Sequence, residues 1–535
     1  MRRVYRGSYT ALVITTAPEN SGLVRTGGLY RAADVRALDA ALIADGIAGY
    51  ELMSRAAAAA LQMLRARWPV SRDLLVLCGS GNNGGDGFVL ARLAHEAGLA
   101  PRVIGIVPSS ELKGDAARAA ADCAASGVPI LLRENVDLVR ELECCDLIVD
   151  ALLGIGLTEN VREPIAALIS ATNAARRPIV SLDVPSGLCA DSGRERGVAM
   201  RADLTVTFIA RKAGLYLGAG PDHCGEIVLA TLADASNVAG AAGVTPRLRL
   251  IDTASLALRL PTRSRDTHKG QAGHVLVVGG GPGMPGAARL AGEGALRAGA
   301  GRVTVCSAPE SAAAIVAGRA ELMVRGIDDA SALVPLLGTV DAVALGPGLG
   351  QSAWAHAIFD TVLQASRARA LPLVIDADAL NLLAMSEPTQ AGRAETGKVA
   401  LPAHCVLTPH PGEAARLLGR DAAFVQADRP AALAQLQSRY AQATVVLKGA
   451  GTLVSAAVPG LCVAGHPAMA APGMGDVLTG MIAALLAQSM GAQDAANAAV
   501  LWHALAGERA ARADRGLLAS ELVQHLPSVR GEWHR

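Results

Sequence analysis

LLVLCGSGNNGGDGFVLARLA, Leu74–Ala94, decides the fold. The apolar run Leu74–Cys78 reads as a buried strand. Gly79, Gly81, Gly84, Gly85 and Gly87 then surround Asn82, Asn83 and Asp86, and FVLARLA continues with helical spacing. Strand, Gly-rich loop and helix in that order form one unit of a parallel α/β sheet, and a loop at the C-terminal edge of such a sheet turns backbone amides toward a phosphate. Asn82, Asn83 and Asp86 occupy the turn, so this is not the dinucleotide fingerprint. A tight turn with Asn and Asp in left-handed conformations is the plainer alternative.

The same alternation extends in both directions. Upstream, Ala32–Arg67 reads as one Ala-rich helix ending near Pro69. Downstream, RVIGIV (Arg102–Val107), DLIVDAL (Asp146–Leu152), PIVSLDV (Pro178–Val184) and LTVTFIA (Leu204–Ala210) read as strands. Two of these end in chemistry: DLIVDALLGIG runs into a glycine loop reaching Asn160, and SLDVPSG places Asp183 at a strand terminus before Pro185, Ser186 and Gly187. A carboxylate at the C-terminal edge of a parallel sheet stands where α/β active sites form, although each alone also fits a turn. Residues 29–235 are read as one three-layer domain, 1–28 as an N-terminal extension and 236–247, small and polar, as a linker.

A second α/β domain is read over 248–535. It opens in force at HKGQAGHVLVVGGG, and its candidate strand ends are DAVALGPGLG (Asp341–Gly350), LVIDADAL (Leu373–Leu380), VLTPHPGEAARLL (Val406–Leu418) and VVLKGAGTLV (Val445–Val454). Helix capping is the stronger reading for at least one of Asp376 and Asp378. Lys448 with two following glycines suits a nucleotide phosphate. APGMGDVLTGMIAALLAQ, Ala471–Gln488, sets Asp476 among small residues just before an apolar helix. Exposed amides at a helix N-terminus bind anions, and an aspartate in the same turn can take a hydroxyl proton. That combination points to phosphoryl transfer, an Asp N-cap after a Gly-rich turn being the bland reading. No GxxxxGK[ST] loop occurs.

Composition narrows the classes. The 535 residues exceed one core and predict two to four domains. Hydrophobic residues make up 51% but aromatics only 3%, so Ala, Val, Leu and Gly fill the interior, as in parallel sheets flanked by Ala-rich helices. With 49 basic against 48 acidic residues and no basic face, nucleic acid is not an expected partner. No membrane span or signal peptide is read. The nine cysteines show no CxxC pair or metal-ligand spacing and read as free thiols of a cytoplasmic protein.

GSGNNGGDG, VDALLGIGL and SLDVPSG together resemble the NAD(P)H-hydrate epimerase domain, the YjeF N-terminal family, over most of 29–235. The resemblance implies a Rossmann-like fold. It also implies that Asn82, Asn83, Gly84, Gly85 and Asp86, with Gly154, Ile155, Gly156, Leu157, Thr158, Glu159 and Asn160, bind the hydrate's phosphates and ribose. Asn83, Asp150 and Ser186 would hold K+, and Asp183 would be the catalytic residue at the reacting ring. GPG, TPHPGE, KGAGT and GMGD, in that order, resemble the ADP-dependent NAD(P)H-hydrate dehydratase of the ribokinase-like superfamily over about 248–526. That resemblance implies hydrate contacts from Ala287, Gly348, His410 and Asp476. It implies nucleotide contacts from Lys448, Gly449, Ala450, Gly451, Thr452 and Gly475, and Mg2+ bridging the nucleotide phosphates.

The implied activity is repair of hydrated NADH and NADPH: epimerisation of the R and S hydrates, then dehydration of the S form with ADP as phosphoryl donor and Asp476 as base. The expected partners are small molecules, the hydrates NADHX and NADPHX and ADP, in a homo-oligomeric enzyme. Two rivals stand beside it. One is a vitamin or sugar kinase fused to a Rossmann-like domain, against which HKG and TPHPGE argue. The other is a non-catalytic first half, against which the presence of Asp183 and NNGGD argues.

Overall fold

The computed structural model describes residues 13–14, 27–233, 242–253, 260, 263–386, 400–513 and 515–532. Most of the expected extension and half of the expected linker (236–241) therefore lie outside the described residues. The chain divides into two compact units that part between Leu250 and Ile251.

In the first unit a parallel sheet runs in the order Val13–Ile14, Glu226–Ala230, Leu204–Phe208, Ile179–Leu182, Leu147–Ala151, Asp73–Cys78, Ala100–Gly105, Ile130–Leu132. Alternate residues of Asp73–Cys78 enter different cores, as period-2 geometry demands. Leu74, Val76 and Cys78 pack with Leu52, Ala56 and Phe88, whereas Leu75 and Leu77 pack with Leu138, Leu168 and Ile169. Helices thus cover both faces, giving three layers. After Asp73–Cys78 the chain steps outward to Ala100–Gly105 and Ile130–Leu132, then returns to Leu147–Ala151 on the other side. The chains leaving Cys78 and Ala151 lead to helices on opposite faces of the sheet, which opens a crevice at the switch point.

Three readings need correction. The expected single helix Ala32–Arg67 is two, Ala32–Ala44 and Gly49–Arg67, broken where Gly46 takes φ +105°; Ala-rich composition hid a backbone geometry that only Gly adopts readily. NNGGD is no turn. It forms the first turns of the helix Asn82–Glu96, and none of its five residues has positive φ. Leu248–Leu250, read as the start of the second domain, pairs antiparallel with Gly28–Tyr30 and belongs to the first unit.

The second unit has a sheet in the order Met323–Gly326, Arg302–Ser307, His274–Val278, Ala342–Leu345, Leu373–Ile375, Cys405–Leu407, Ala443–Leu447, all parallel. The antiparallel strands Thr452–Val454 and Gly460–Cys462 extend it. Its switch point lies between His274–Val278 and Ala342–Leu345. The helices Pro285–Arg297 and Met474–Ala487 cross in close contact because Gly480 has no side chain: a Cβ there would stand 1.8 Å from the Ala291 carbonyl oxygen. Among the described residues no helix is long and apolar enough to cross a membrane.

Candidate active sites

At the first switch point two loops meet so closely that Gly79 cannot carry a side chain. A Cβ on Gly79 would lie 1.8 Å from the Leu152 carbonyl oxygen, and the Gly79 N–H donates to Ala151 at 2.9 Å. Beyond them opens a cavity of about 770 Å³. Asn82, Asn83 and Asp86 line it, as do Gly154, Ile155, Gly156, Leu157, Thr158, Glu159, Asn160 and Asp183. Gly84 and Gly85 do not. They are buried under it, where a Cβ would meet the Gly79 carbonyl at 2.0 Å and the Met53 methyl at 2.5 Å. They seat the helix.

Asp183 holds φ +63°, a left-handed conformation that few non-glycine residues take, directly after the strand Ile179–Leu182. Its Oδ1 accepts from the Lys212 ammonium, from the Phe208 N–H at 3.2 Å and from the Thr207 hydroxyl at 3.4 Å. Lys212 is 1% exposed, and its ammonium also donates to the Phe208 carbonyl at 2.7 Å. Sequence reading passed over Lys212; the available signal was a lysine two residues past an apolar strand end. It also passed over Asp39, on the helix Ala32–Ala44, which lines the same cavity. Burial raises the Asp39 carboxyl above its usual range, with Lys212 opposing and Asp183 adding. Burial, then Asp183 and Asp39, push the Asp86 carboxyl well up, with Lys212 opposing.

Beneath the cavity, Asp150 is fully buried. Ser186 donates to it through both its hydroxyl (2.5 Å) and its N–H (2.9 Å), and Ser181 donates at 2.7 Å. Burial raises its carboxyl, and these donors oppose the rise. The Ser186 hydroxyl also accepts from Leu153 N–H at 2.8 Å, and Asn83 Nδ2 donates to the Leu153 carbonyl at 2.9 Å. Asn83 Oδ1 is buried with no partner. An orphaned oxygen beside a buried carboxylate and a hydroxyl, all hard donors, fits an alkali cation.

In the second unit the glycine loops after His274–Val278 and Ala342–Leu345 lie together. Gly280 N–H donates to Pro347 at 2.9 Å and Gly281 N–H to Gly348 at 2.6 Å. Gly348, at φ +61°, takes a position where a Cβ would stand 3.1 Å from Ala287, so these two expected hydrate contacts share one wall.

Further along the sheet edge the charges converge. Asp376, 1% exposed, accepts from Lys448 Nζ at 2.6 Å and from the Thr479 hydroxyl at 2.7 Å. It occupies an N-cap position but makes no side-chain cap, and Asp378 accepts from Gly350 N–H at 2.8 Å instead. The capping expected of one of them is therefore not what their side chains do. Lys448 also lies 3.9 Å from Glu413. Glu413 closes a capping box with His410, accepting from the His410 N–H at 2.8 Å while His410 Nδ1 accepts from Gly412 N–H at 2.9 Å. With Nδ1 an acceptor, His410 is a neutral imidazole presenting Nε2–H; burial and the nearby Lys448 and Arg416 hold its pKa low.

Asp476 lies in the first turn of Met474–Ala487, whose N-cap Gly473 has φ +85°. Burial first, then Asp376, raises its carboxyl to about 7, with Lys448 opposing. A Cβ on Gly475 would lie 3.1 Å from Lys448 Nζ, which puts that expected nucleotide contact beside the ammonium. Gly449, Ala450 and Gly451 form the turn after Lys448, and Thr452 opens the strand that follows. Arg429 supports it by donating to the carbonyls of Leu447 and Lys448, each at 3.1 Å, and to that of Ala450. Among the described residues no group of three or more His, Cys, Asp or Glu is placed to hold a metal ion. A Mg2+ ion here would have to be held mainly by nucleotide phosphates, which is how that ion commonly binds.

Comparison with known proteins converges on one family. Residues 49–214 match the family described as YjeF-related protein N-terminus, and residues 275–528 match the one described as NAD(P)H-hydrate dehydratase. A bifunctional NAD(P)H-hydrate repair enzyme from Coxiella burnetii is 45% identical over 93% of this chain and 98% of its own length. One from Escherichia coli is 41% identical, covering 90% of each. A solved structure of an ADP/ATP-dependent NAD(P)H-hydrate dehydratase from Bacillus subtilis, co-crystallised with ATP and Mg2+, is 30% identical over 54% of this chain and 99% of that one, with a TM-score of 0.46. From motifs and full-length similarity alike, the chain belongs to the family of bifunctional NAD(P)H-hydrate repair enzymes.

Proposed function

We propose that this chain restores hydrated NADH and NADPH in two steps, epimerising the R and S hydrates in its first unit and dehydrating the S hydrate in its second. The observation that carries the reading is the recurrence, in one chain, of glycine loops packed together at a switch point and an aspartate near the same sheet edge: Asp183 in one unit and Asp476 in the other. Hydration of the ring leaves a stereocentre at C6, so an enzyme that dehydrates one hand needs a partner activity for the other.

Epimerisation makes C6 planar and re-forms it from the opposite face. In one route Asp183 gives a proton to the departing hydroxyl and recovers one from the water that adds back. In the other it takes the hydroxyl proton, passes it to the ring nitrogen as the N1–C6 bond opens, and reverses the transfer on closure. Asn82, Asn83, Asp86 and the loop Gly154–Asn160 hold the nucleotide portion of the hydrate in the cavity. Asn83, Asp150 and Ser186 would hold K+, which would supply a fixed positive charge beneath the site.

For dehydration, Asp476 takes the C6 hydroxyl proton and that oxygen attacks the β-phosphoryl group of ADP, releasing AMP. The amides of Gly473–Asp476 and the Lys448 ammonium stabilise charge on the group in flight. The ring nitrogen lone pair then expels phosphate, and loss of a ring proton restores the double bond; bound Mg2+ would screen the nucleotide phosphates. Ala287, Gly348 and His410 seat the hydrate, while Gly449, Ala450, Gly451, Thr452 and Gly475 seat the nucleotide. ADP is the donor because a site that puts a β-phosphoryl group about 3–3.5 Å from the hydroxyl would leave a γ group past the reacting point. The nine free thiols suit a reducing cytoplasm.

The test is incubation of mixed hydrate epimers with ADP or ATP, following recovery of reduced-cofactor absorbance and release of AMP. Complete recovery with one AMP per hydrate is expected. Recovery stopping at the S fraction refutes the first activity, and faster turnover with ATP refutes the donor.

A further inference from the structure

We propose that Lys212 is the positioning residue of the first site: its ammonium grips Asp183 by Oδ1, so that Oδ2 alone is offered to the substrate. This rests on the reading that Asp183 serves epimerisation and adds a residue to that site.

The geometry is one-sided. All three donors to the Asp183 carboxylate, Lys212 Nζ, Phe208 N–H and Thr207 Oγ1, meet Oδ1, and among the described residues none reaches Oδ2. Asp183 lines the cavity, and Oδ2 is the oxygen left without a donor among the described residues. A carboxylate anchored through one oxygen keeps a fixed direction for the other, which proton transfer to a ring substituent requires. The lysine itself is fixed at both ends. Its backbone lies in the short strand Arg211–Lys212, paired with Leu29 and Tyr30, and its ammonium is split between Asp183 and the Phe208 carbonyl.

Burial makes the arrangement unusual. Lysine is almost never fully buried unless paired, and this one is 1% exposed. The cavity gives the pairing a purpose beyond packing: Asp39 on the helix Ala32–Ala44 and Asp86 on the helix Asn82–Glu96 face the same pair, and each interacts electrostatically with both Lys212 and Asp183. Three carboxyl groups lining one cavity would compete for charge and direction. One ammonium on Asp183 singles it out.

The experiment uses the full chain, in which dehydration of the S hydrate with ADP is an internal control. Lys212→Met retains the length of the side chain without its charge, and Lys212→Ala opens a slot for a small cation. Both are expected to lower kcat for epimerisation by about 10²-fold with little change in KM, and to leave dehydration of the S hydrate intact. Added ethylammonium should restore part of the Lys212→Ala loss, whereas ethanol should not. Wild-type epimerisation by Lys212→Met overturns the proposal, as does equal rescue of Lys212→Ala by ethanol and ethylammonium, which marks a packing role. Should Lys212→Ala lose its fold by circular dichroism, Lys212→Met and Lys212→Arg decide: an unchanged kcat in the first, or an equal loss in both, overturns it. Asp183→Asn separates the two levels. If it epimerises normally, the functional reading fails; if it is inactive while Lys212→Met is normal, only the present proposal fails.

Discussion

Lys448 Nζ lies 2.6 Å from Asp376 Oδ1, joining two strand ends 72 residues apart directly beside Asp476. The pair fixes the electrostatics of the second site. Asp376 raises the Asp476 carboxyl and Lys448 lowers it, so the base sits where small changes in either neighbour move its titration. Asp376→Asn should therefore shift the pH midpoint of dehydration downward, because a negative neighbour is lost, and should also raise KM for ADP as the ammonium loses its anchor. A pH–rate profile of the S hydrate with ADP checks both; an unchanged midpoint contradicts the arrangement.

Asp476, with its pKa near 7, should impose that value on the wild-type enzyme. A base acts deprotonated, so kcat/KM for dehydration is expected to rise about tenfold per pH unit below about 7 and to level off above it. Asp476→Asn should cut kcat by about 10²–10⁴-fold while ADP still binds. The same variant should be more stable than wild type at pH 8. A carboxyl raised on folding costs stability once pH exceeds its unfolded value, and the amide never charges. Calorimetry at pH 5 and pH 8 should show the stability gain growing with pH.

Asp183→Asn should abolish epimerisation alone. With mixed epimers and ADP the variant is expected to consume the S form and stall on the R form, once spontaneous epimerisation is subtracted. Chiral chromatography of the residual hydrate reads the outcome directly; disappearance of both forms at the wild-type rate would remove Asp183 from the mechanism.

Asn83→Ala and Ser186→Ala should each weaken a response to potassium. With KCl replaced by choline chloride, the wild type is expected to lose epimerase activity and some thermal stability of the first unit, and the variants to show a smaller difference between the two salts. The orphaned Asn83 Oδ1 is the reason. A wild-type melting curve indifferent to KCl would count against the cation.

Gly480→Ala should destabilise the second unit although it touches neither ligand. Its methyl would stand 1.8 Å from the Ala291 carbonyl oxygen, forcing the helix that carries Asp476 away from Pro285–Arg297. Overpacking of this kind typically costs about 1–3 kcal/mol and occasionally more. Denaturant unfolding should show the loss, and dehydration should weaken with it.

The amino-acid order alone determined the class and pointed to the candidate reacting groups. Apolar runs of strand length alternating with Ala-rich helices dictate a parallel sheet, because only a sheet covered on both faces buries such runs. Glycines clustered at strand ends mark the close approaches, and Gly79 against Leu152 is one that a Cβ would forbid. Asp183 and Asp476 could be proposed from sequence for the same reason: each stands in a local motif at a strand or helix terminus. What only the tertiary structure decided is which distant groups face them. Lys212 lies 29 residues from Asp183, and Asp376 and Lys448 are 72 apart, so no local pattern reveals the pairings. Strand order makes them, by bringing separate strand ends to one edge. The helical start of NNGGD was likewise beyond composition, since its glycines are held by packing against Gly79 and Met53, and the break at Asp45–Ala48 turns on the single Gly46, which an Ala-rich run masks.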